Sequence, residues 1–329
     1  MKSINLFIRR SVSVGGLFML LFAVNFNIAA QNFESSQLTS NTFVASCFIN
    51  DNEGWLADNK AMLWHTINAG ETWDSISIEK YFLKLDFTDA LNGFALATNA
   101  AYKTSDGGHT WITLTLPGTI GNALYFLNND IGLISGTQGS YRTTNGGTTW
   151  STVSTDNASF TDYYFMNATV GIATANDDEL YKSIWRTTDG GLTWSNVFNE
   201  PNYIMNAIWF NNENTGWAAG YYDQIGLGRE PEIIHTTDGG LTWQSVYRNP
   251  AIVSKGESLM DIRFRNTLEG FAISNYSESV YTTDGGLTWN LIYENQIPGF
   301  PLPQGIYKSL DGNNEMYLSG KLGYVVKWK

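Results

Sequence analysis

The chain has 329 residues, with 19 Lys and Arg against 31 Asp and Glu and a net charge of −12. So acidic a balance argues against nucleic-acid partners and against docking on anionic membranes, both of which select basic surfaces. A single cysteine, Cys47, excludes an internal disulfide, and one cysteine with three histidines is little material for a zinc or copper centre.

Residues 1–30 read as a secretory leader. Lys2, Arg9 and Arg10 precede the apolar run VGGLFMLLFAV, and Ala29 and Ala30 put small residues before Gln31. The run falls short of the ~20 apolar residues that a span requires. The mature protein, residues 31–329, is therefore expected to be exported, periplasmic or extracellular, and not embedded in a membrane. Loss of the three leader cations takes the net charge from −12 to −15, which suits solubility outside the cytoplasm. Cys47 lies in the apolar stretch ASCFIN and reads as a buried, unreactive thiol.

From there on the chain repeats itself. TTDGGLTW stands at Thr187–Trp194, Thr236–Trp243 and Thr282–Trp289, with looser copies TINAGETW (Thr66–Trp73), TSDGGHTW (Thr104–Trp111) and TTNGGTTW (Thr143–Trp150). The six Trp are 38, 39, 44, 49 and 46 residues apart. In phase with them run apolar segments ending in Phe48, Phe87, Phe126, Phe165, Phe210 and Phe264, each followed by an Asn- or Asp-bearing turn and a Gly-led strand. Four short strands per period of ~40–50 residues is a propeller-blade pattern. The last stretch, IYKSLDGNNEMYLSGKLGYVVKWK, offers three more strands and no octet. A strand from residues 32–40 could complete it. The expectation is thus an all-β, seven-bladed propeller over 31–329, with four-stranded antiparallel blades and octet hairpins between third and fourth strands. Six blades with a loose tail is the alternative.

Within each octet the paired glycines suit a turn that needs positive φ, and the Asp can accept hydrogen bonds from turn amides. Asn68 and Asn145 replace Asp in two copies, so the position asks for an acceptor rather than an acid. The octets are expected to be latches, with Trp wedged between neighbouring sheets, and not catalytic sites.

These octets resemble the Asp-box, or BNR repeat, Ser/Thr-x-Asp-x-Gly-x-Thr-Trp. Together with the GWAAG-like strands they most resemble the photosystem II stability/assembly-factor-like family. That resemblance implies a non-enzymatic propeller that holds a protein partner, with no cofactor. The repeat also occurs in sialidases and some glucanases, so a carbohydrate-active enzyme is the competing reading. Against a sialidase, Arg-Ile-Pro is absent, no arginine occurs between Gln31 and Tyr141, and Arg142 and Arg186 directly precede octets. Only Arg229, Arg248, Arg263 and Arg265 are expected to reach the opposite face. Against a glucanase, the catalytic groove needs two carboxylates facing across it. Asp162 and Asp261 open inner strands and could supply them, or could simply cap strand-start amides.

A binding surface is expected on the face opposite the octets, where blades five to seven carry long segments: Tyr221–Glu232, Tyr247–Ser258 and Glu294–Gly305. The candidate contact residues are Tyr221, Tyr222, Asp223, Arg229, Arg248 and Phe300, because Tyr and Arg anchor partners more often than other residues. The partner would be a protein or peptide, with carbohydrate as the other possibility. The acidic turn Asn176, Asp177, Asp178, Glu179 lacks regular calcium-ligand spacing, so no metal is expected.

Overall fold

Runs of five or six β-branched and aromatic residues, each broken by Asn, Asp or Gly, are too short for helices and come with their own turns. A computed structural model describes residues 33–50, 52–118, 121–136, 138–153, 158–175, 182–224, 227–249, 258–274, 279–292, 316–319 and 324–328. Six four-stranded antiparallel sheets follow one another in chain order. Blade one is Phe43–Phe48, Gly54–Asp58, Met62–Thr66 and Asp74–Ser77; blade two is Lys84–Phe87, Gly93–Ala97, Ala100–Thr104 and Ile112–Leu114. Blade three is Ala123–Phe126, Gly132–Gly136, Gly139–Thr143 and Ser151–Val153; blade four is Phe160–Phe165, Gly171–Ala175, Lys182–Thr187 and Ser195–Asn199. Blade five is Tyr203–Phe210, Gly216–Gln224, Gly228–Thr236 and Gln244–Arg248; blade six is Leu259–Phe264, Gly270–Ser274, Ser279–Thr282 and Asn290–Ile292. First strands of successive blades pack side by side, as in a β-propeller.

The expected seven four-stranded blades are corrected to six. Only these six sheets have an octet hairpin joining the third strand to the fourth. The chain ends build a further sheet in the order Phe33–Gln37, Tyr324–Trp328, Met316–Ser319, with three strands among the described residues. The reason lies in the sequence: no octet follows Trp289 to turn another third strand back onto a fourth.

The phenylalanines that end the first strands organise the packing. In every blade the octet Trp meets its own blade's Phe edge-on, with ring centroids 5.8–6.3 Å apart and planes at 80–86°. The preceding blade lays a second-strand side chain against the same Phe. Trp55 stacks on Phe87 at 3.8 Å, Phe94 on Phe126 at 3.3 Å and Trp217 on Phe264 at 4.0 Å. The glycine that opens each second strand makes room for its own blade's Phe; a Cβ on Gly93 would sit 2.6 Å from the Phe87 ring. Trp111 and Trp243 lie in clusters that combine residues of adjacent blades, so the octet Trp is indeed wedged between sheets.

In blades one, two and four the residue just before the Phe ties its blade to the next. Cys47 Sγ, buried, accepts the Phe87 N–H at 3.1 Å. The Asp86 carboxylate accepts the Phe126 N–H at 2.5 Å, and the Tyr164 hydroxyl donates to the Phe210 carbonyl at 2.8 Å. Buried donors and acceptors matched this way satisfy amides that no ladder reaches.

Candidate functional site

The octets are fasteners. In Thr236–Trp243, Thr236 Oγ1 accepts the Gly240 N–H at 3.0 Å and donates to Asp238 Oδ1 at 2.8 Å. Asp238 Oδ1 also accepts the N–H groups of Leu241 and Thr242, at 3.0 and 2.9 Å, and Oδ2 accepts the Thr242 hydroxyl at 2.6 Å. Gly240 has φ +81° and presses on the blade before: a Cβ there would lie 2.6 Å from Ile172 Cδ1. Asn68 and Asn145 make the same turn, their Nδ2 atoms donating to Thr72 and Thr149 Oγ1 at 2.8 Å. Burial alone would raise the octet carboxyls, but hydrogen bonds, from Thr110 on Asp106 and from Thr242 on Asp238, outweigh it and hold both at about 2. A carboxylate so committed offers no proton at neutral pH. The neighbours of the octets are latches too: Arg142 Nε donates to the Gly190 carbonyl at 2.8 Å and Arg186 Nε to the Gly239 carbonyl at 3.0 Å, each reaching the next blade's octet.

The opposite face carries two features. One is a cavity of about 120 Å³ at the propeller centre, lined by the starts of inner strands and including Lys84, Asp86, Tyr125, Asp162, Asp261 and Arg263. Asp162 and Asp261 do share it. Asp162 accepts N–H bonds from Tyr163 at 3.0 Å and from Ile208, in blade five, at 3.3 Å. Asp261 accepts the Ile262 N–H at 2.8 Å and pairs with Arg263 at 2.8 Å. Burial raises the Asp261 carboxyl, opposed by Arg263. Both carboxylates thus cap backbone amides. The cavity is well below the several hundred Å³ that enclose a small-molecule substrate.

The second feature is the blade-five sheet. Segment 221–232 is not the free loop that its Gly and Pro suggest. The second and third strands continue as a regular hairpin, nine residues each where the corresponding strands of the other blades have four to six, with Tyr222 opposite Glu230 and Asp223 opposite Arg229. Pro231 is accommodated because the fourth strand ends at Arg248, opposite Glu232, one position short of it. At the base of the extension, Arg248 lies over the Tyr222 ring at 3.9 Å and the Tyr203 ring at 5.1 Å. Its Nε donates to Glu232 at 2.5 Å and an Nη to the Tyr203 hydroxyl at 2.6 Å, with Glu230 3.9 Å away. Glu230 and Glu232 are buried. Burial raises the Glu232 carboxyl, and the Arg248 hydrogen bond opposes it. Arg229 covers the Tyr221 ring at 4.2 Å, and Tyr221 itself is buried.

Five expected contact residues therefore come together, in two roles. Tyr221 and Arg248 are built into the base, while Tyr222, Asp223 and Arg229 stay half-exposed toward the tip. Phe300, the acidic turn 176–179 and most of the two later long segments lie outside the described residues. Sequence reading missed Glu230, Glu232 and Tyr203. The signal was present as Glu-Pro-Glu, whose period of two puts both carboxylates on one face of a strand. Arg265, expected on this face, sits in an octet-side turn and pairs with Glu269 at 2.9 Å. With Arg263 held by Asp261 and Arg248 by Glu232, the described arginines form no carboxylate-gripping trio.

Comparison with known proteins agrees with this architecture. The family model described as Photosynthesis system II assembly factor YCF48 matches residues 75–208, and the BNR/Asp-box repeat model matches residues 280–291. The chain is a BNR-repeat β-propeller resembling that assembly factor. No curated protein matches it. Among solved structures, YCF48 bound to D1 peptide superposes with a TM-score of 0.67 at 18% identity, over 90% of this chain and 96% of that one. YCF48 from Cyanidioschyzon merolae gives 0.66 at 16% identity, over 90% and 98%. The GH74 xyloglucanase from Xanthomonas campestris gives 0.65 at 12% identity, over 89% of this chain but 53% of the enzyme. At these identities the likeness is one of fold.

Proposed function

We propose that the protein is an exported, non-enzymatic propeller scaffold that holds a protein or peptide partner on the face opposite its octets. The observation that carries this reading is the blade-five hairpin: nine-residue strands reaching past their neighbours, with Tyr222, Asp223 and Arg229 half-exposed near the tip. The Arg248–Glu232–Tyr203 cluster stiffens its base, and a rigid aromatic and charged edge binds with little ordering cost. The likeness to a propeller bound to a peptide supports the reading; a leader-like N-terminus supports export. The carbohydrate-active alternative has the xyloglucanase fold in its favour. Against it stand the two central carboxylates, each engaged by backbone amides, Asp162 by Tyr163 and Ile208 and Asp261 by Ile262.

The test is capture from the native host's envelope fraction, followed by mass spectrometry, with Asp223→Ala/Arg229→Ala beside the parent protein. The double variant should lose the captured partner at an unchanged Tm. Equal capture would sink the site. Turnover of xyloglucan or a sialoside that disappears in Asp261→Asn would sink the scaffold reading itself.

A further inference from the structure

The octet face carries a feature that fastening does not explain. The sixth octet position is Glu71, His109 and Thr148 in blades one to three, but Leu192, Leu241 and Leu287 in blades four to six. These leucines are 57%, 54% and 74% exposed. Their side chains take no part in the latch, whose bonds use the backbone N–H here, as with Leu241 to Asp238. Blades one to three fold the same turn without them. Leu268, in the blade-six turn that hydrogen-bonds to the octet, is 56% exposed as well.

Charge on the same arc is one-sided. The octets and the turns between first and second strands of blades four to six hold Asp189, Glu213, Asp238, Glu269 and Asp284 against one cation, Arg265, which Glu269 engages. Arg186, on the adjoining strand, is held by the Gly239 carbonyl. The octet aspartates keep their charge because the latch stabilises the ionised form, lowering all three.

We propose that this arc is a second docking surface, whose occupant is a basic amphipathic peptide segment of a partner protein. Exposed apolar side chains arrayed among fixed negative charges complement a segment that alternates apolar residues with Lys or Arg. The surface lies on the face opposite the blade-five hairpin and does not depend on that site. A scaffold with both could hold two chains at once.

The probe is a Leu/Lys peptide of about 15 residues with helical spacing, titrated calorimetrically into the full mature chain at ~50 mM salt, where screening is weak. Binding should fall about tenfold or more in Leu192→Thr/Leu241→Thr/Leu287→Thr, a loss of ~1.4 kcal/mol or more, with Tm unchanged, since Thr148 already fills that position. Asp189→Asn/Asp238→Asn/Asp284→Asn should weaken binding and flatten its salt dependence without unfolding the turns, as Asn68 and Asn145 show. A Leu/Glu peptide of the same pattern should not bind. Asp223→Ala/Arg229→Ala should leave the titration unchanged; a loss there would move the peptide to the blade-five face and overturn this proposal alone. Equal affinity in the leucine variant, or no binding by the parent protein, would also overturn it. So would sedimentation showing a dimer that the leucine variant abolishes, because the occupant would then be a second copy.

Discussion

Replacing Asp238 separates a latch from an acid. Asp238→Ala removes the acceptor for two backbone N–H groups, at 3.0 and 2.9 Å, and for the hydroxyls of Thr236 and Thr242. A net hydrogen bond contributes ~0.5–1.5 kcal/mol, and those freed at an exposed turn recover part of that from water. The loss should be about 1–3 kcal/mol, which in a domain this size lowers Tm by roughly 2–4 °C per kcal/mol. Asp238→Asn keeps an acceptor oxygen and converts the Thr242 contact into an amide donation, as Asn68 and Asn145 do with Thr72 and Thr149. It should stay within about 0.5 kcal/mol of the parent, like a surface substitution. Differential scanning calorimetry at pH 7 on the pair is the measurement. If Asn costs as much as Ala, the charge itself is needed and the turn is not merely a fastener.

Acid should loosen the octets. Asp106 and Asp238 sit at about 2, below the ordinary carboxylate value of 3.8, and Asp189 and Asp284 are lowered too. A lowered folded-state pKa contributes stability above pH ~4 that is lost as pH falls toward 2. Changing all four to Asn should therefore flatten the Tm profile between pH 4 and pH 2; a profile that drops as steeply as the parent's would assign the acid sensitivity elsewhere. Phe87→Ala removes a buried ring stacked on Trp55 and met edge-on by Trp111. It should cost about 3–5 kcal/mol in urea melts, and a cost below ~1.5 kcal/mol would mean the sheets do not depend on their Phe hubs.

Most of the octet was readable because its constraints are local. Thr, Asp, Gly and Trp fall within eight residues, and turn chemistry accounts for the Thr, the Asp and the glycines. The Phe hubs were visible as a phase but not as hubs, because their partners lie on another blade. Those partners need only be large and apolar, and they change from Trp55 to Phe94 to Leu133 to Ile172 around the ring. The chain-end sheet was legible as a strand from 32–40 meeting the last strands, and Phe33–Gln37 does pair with Tyr324–Trp328; the error was to count it as a full blade, although no octet marks a hairpin there and three strands are described. In blade five, Gly228 and Pro231 imitated a loop, while the ladder continued through both.

This division sets where variation is tolerated. On the octet side each turn must bond its own Thr, Asp and Gly and also receive the preceding blade's side chain: Leu63 meets Gly108, Leu133 meets Gly191 and Trp217 meets Gly286. The side chains at the second and sixth octet positions point outward, and there the residue type varies: Ile, Ser and Thr at the second, Glu, His, Thr and Leu at the sixth. On the other side the second strand of blade five runs nine residues against five in the other blades, and its third runs nine against four to six. The longer strands carry their own closing contacts. Glu230 and Glu232, inside the sheet, would be costly as isolated charges, and Arg248 and Gln224 engage them. Arg248→Met should therefore destabilise the hairpin more than Arg229→Met, since it alone leaves a buried carboxylate without its cation. Hydrogen exchange in 216–236 reads the difference, and equal protection in the two variants would refute it.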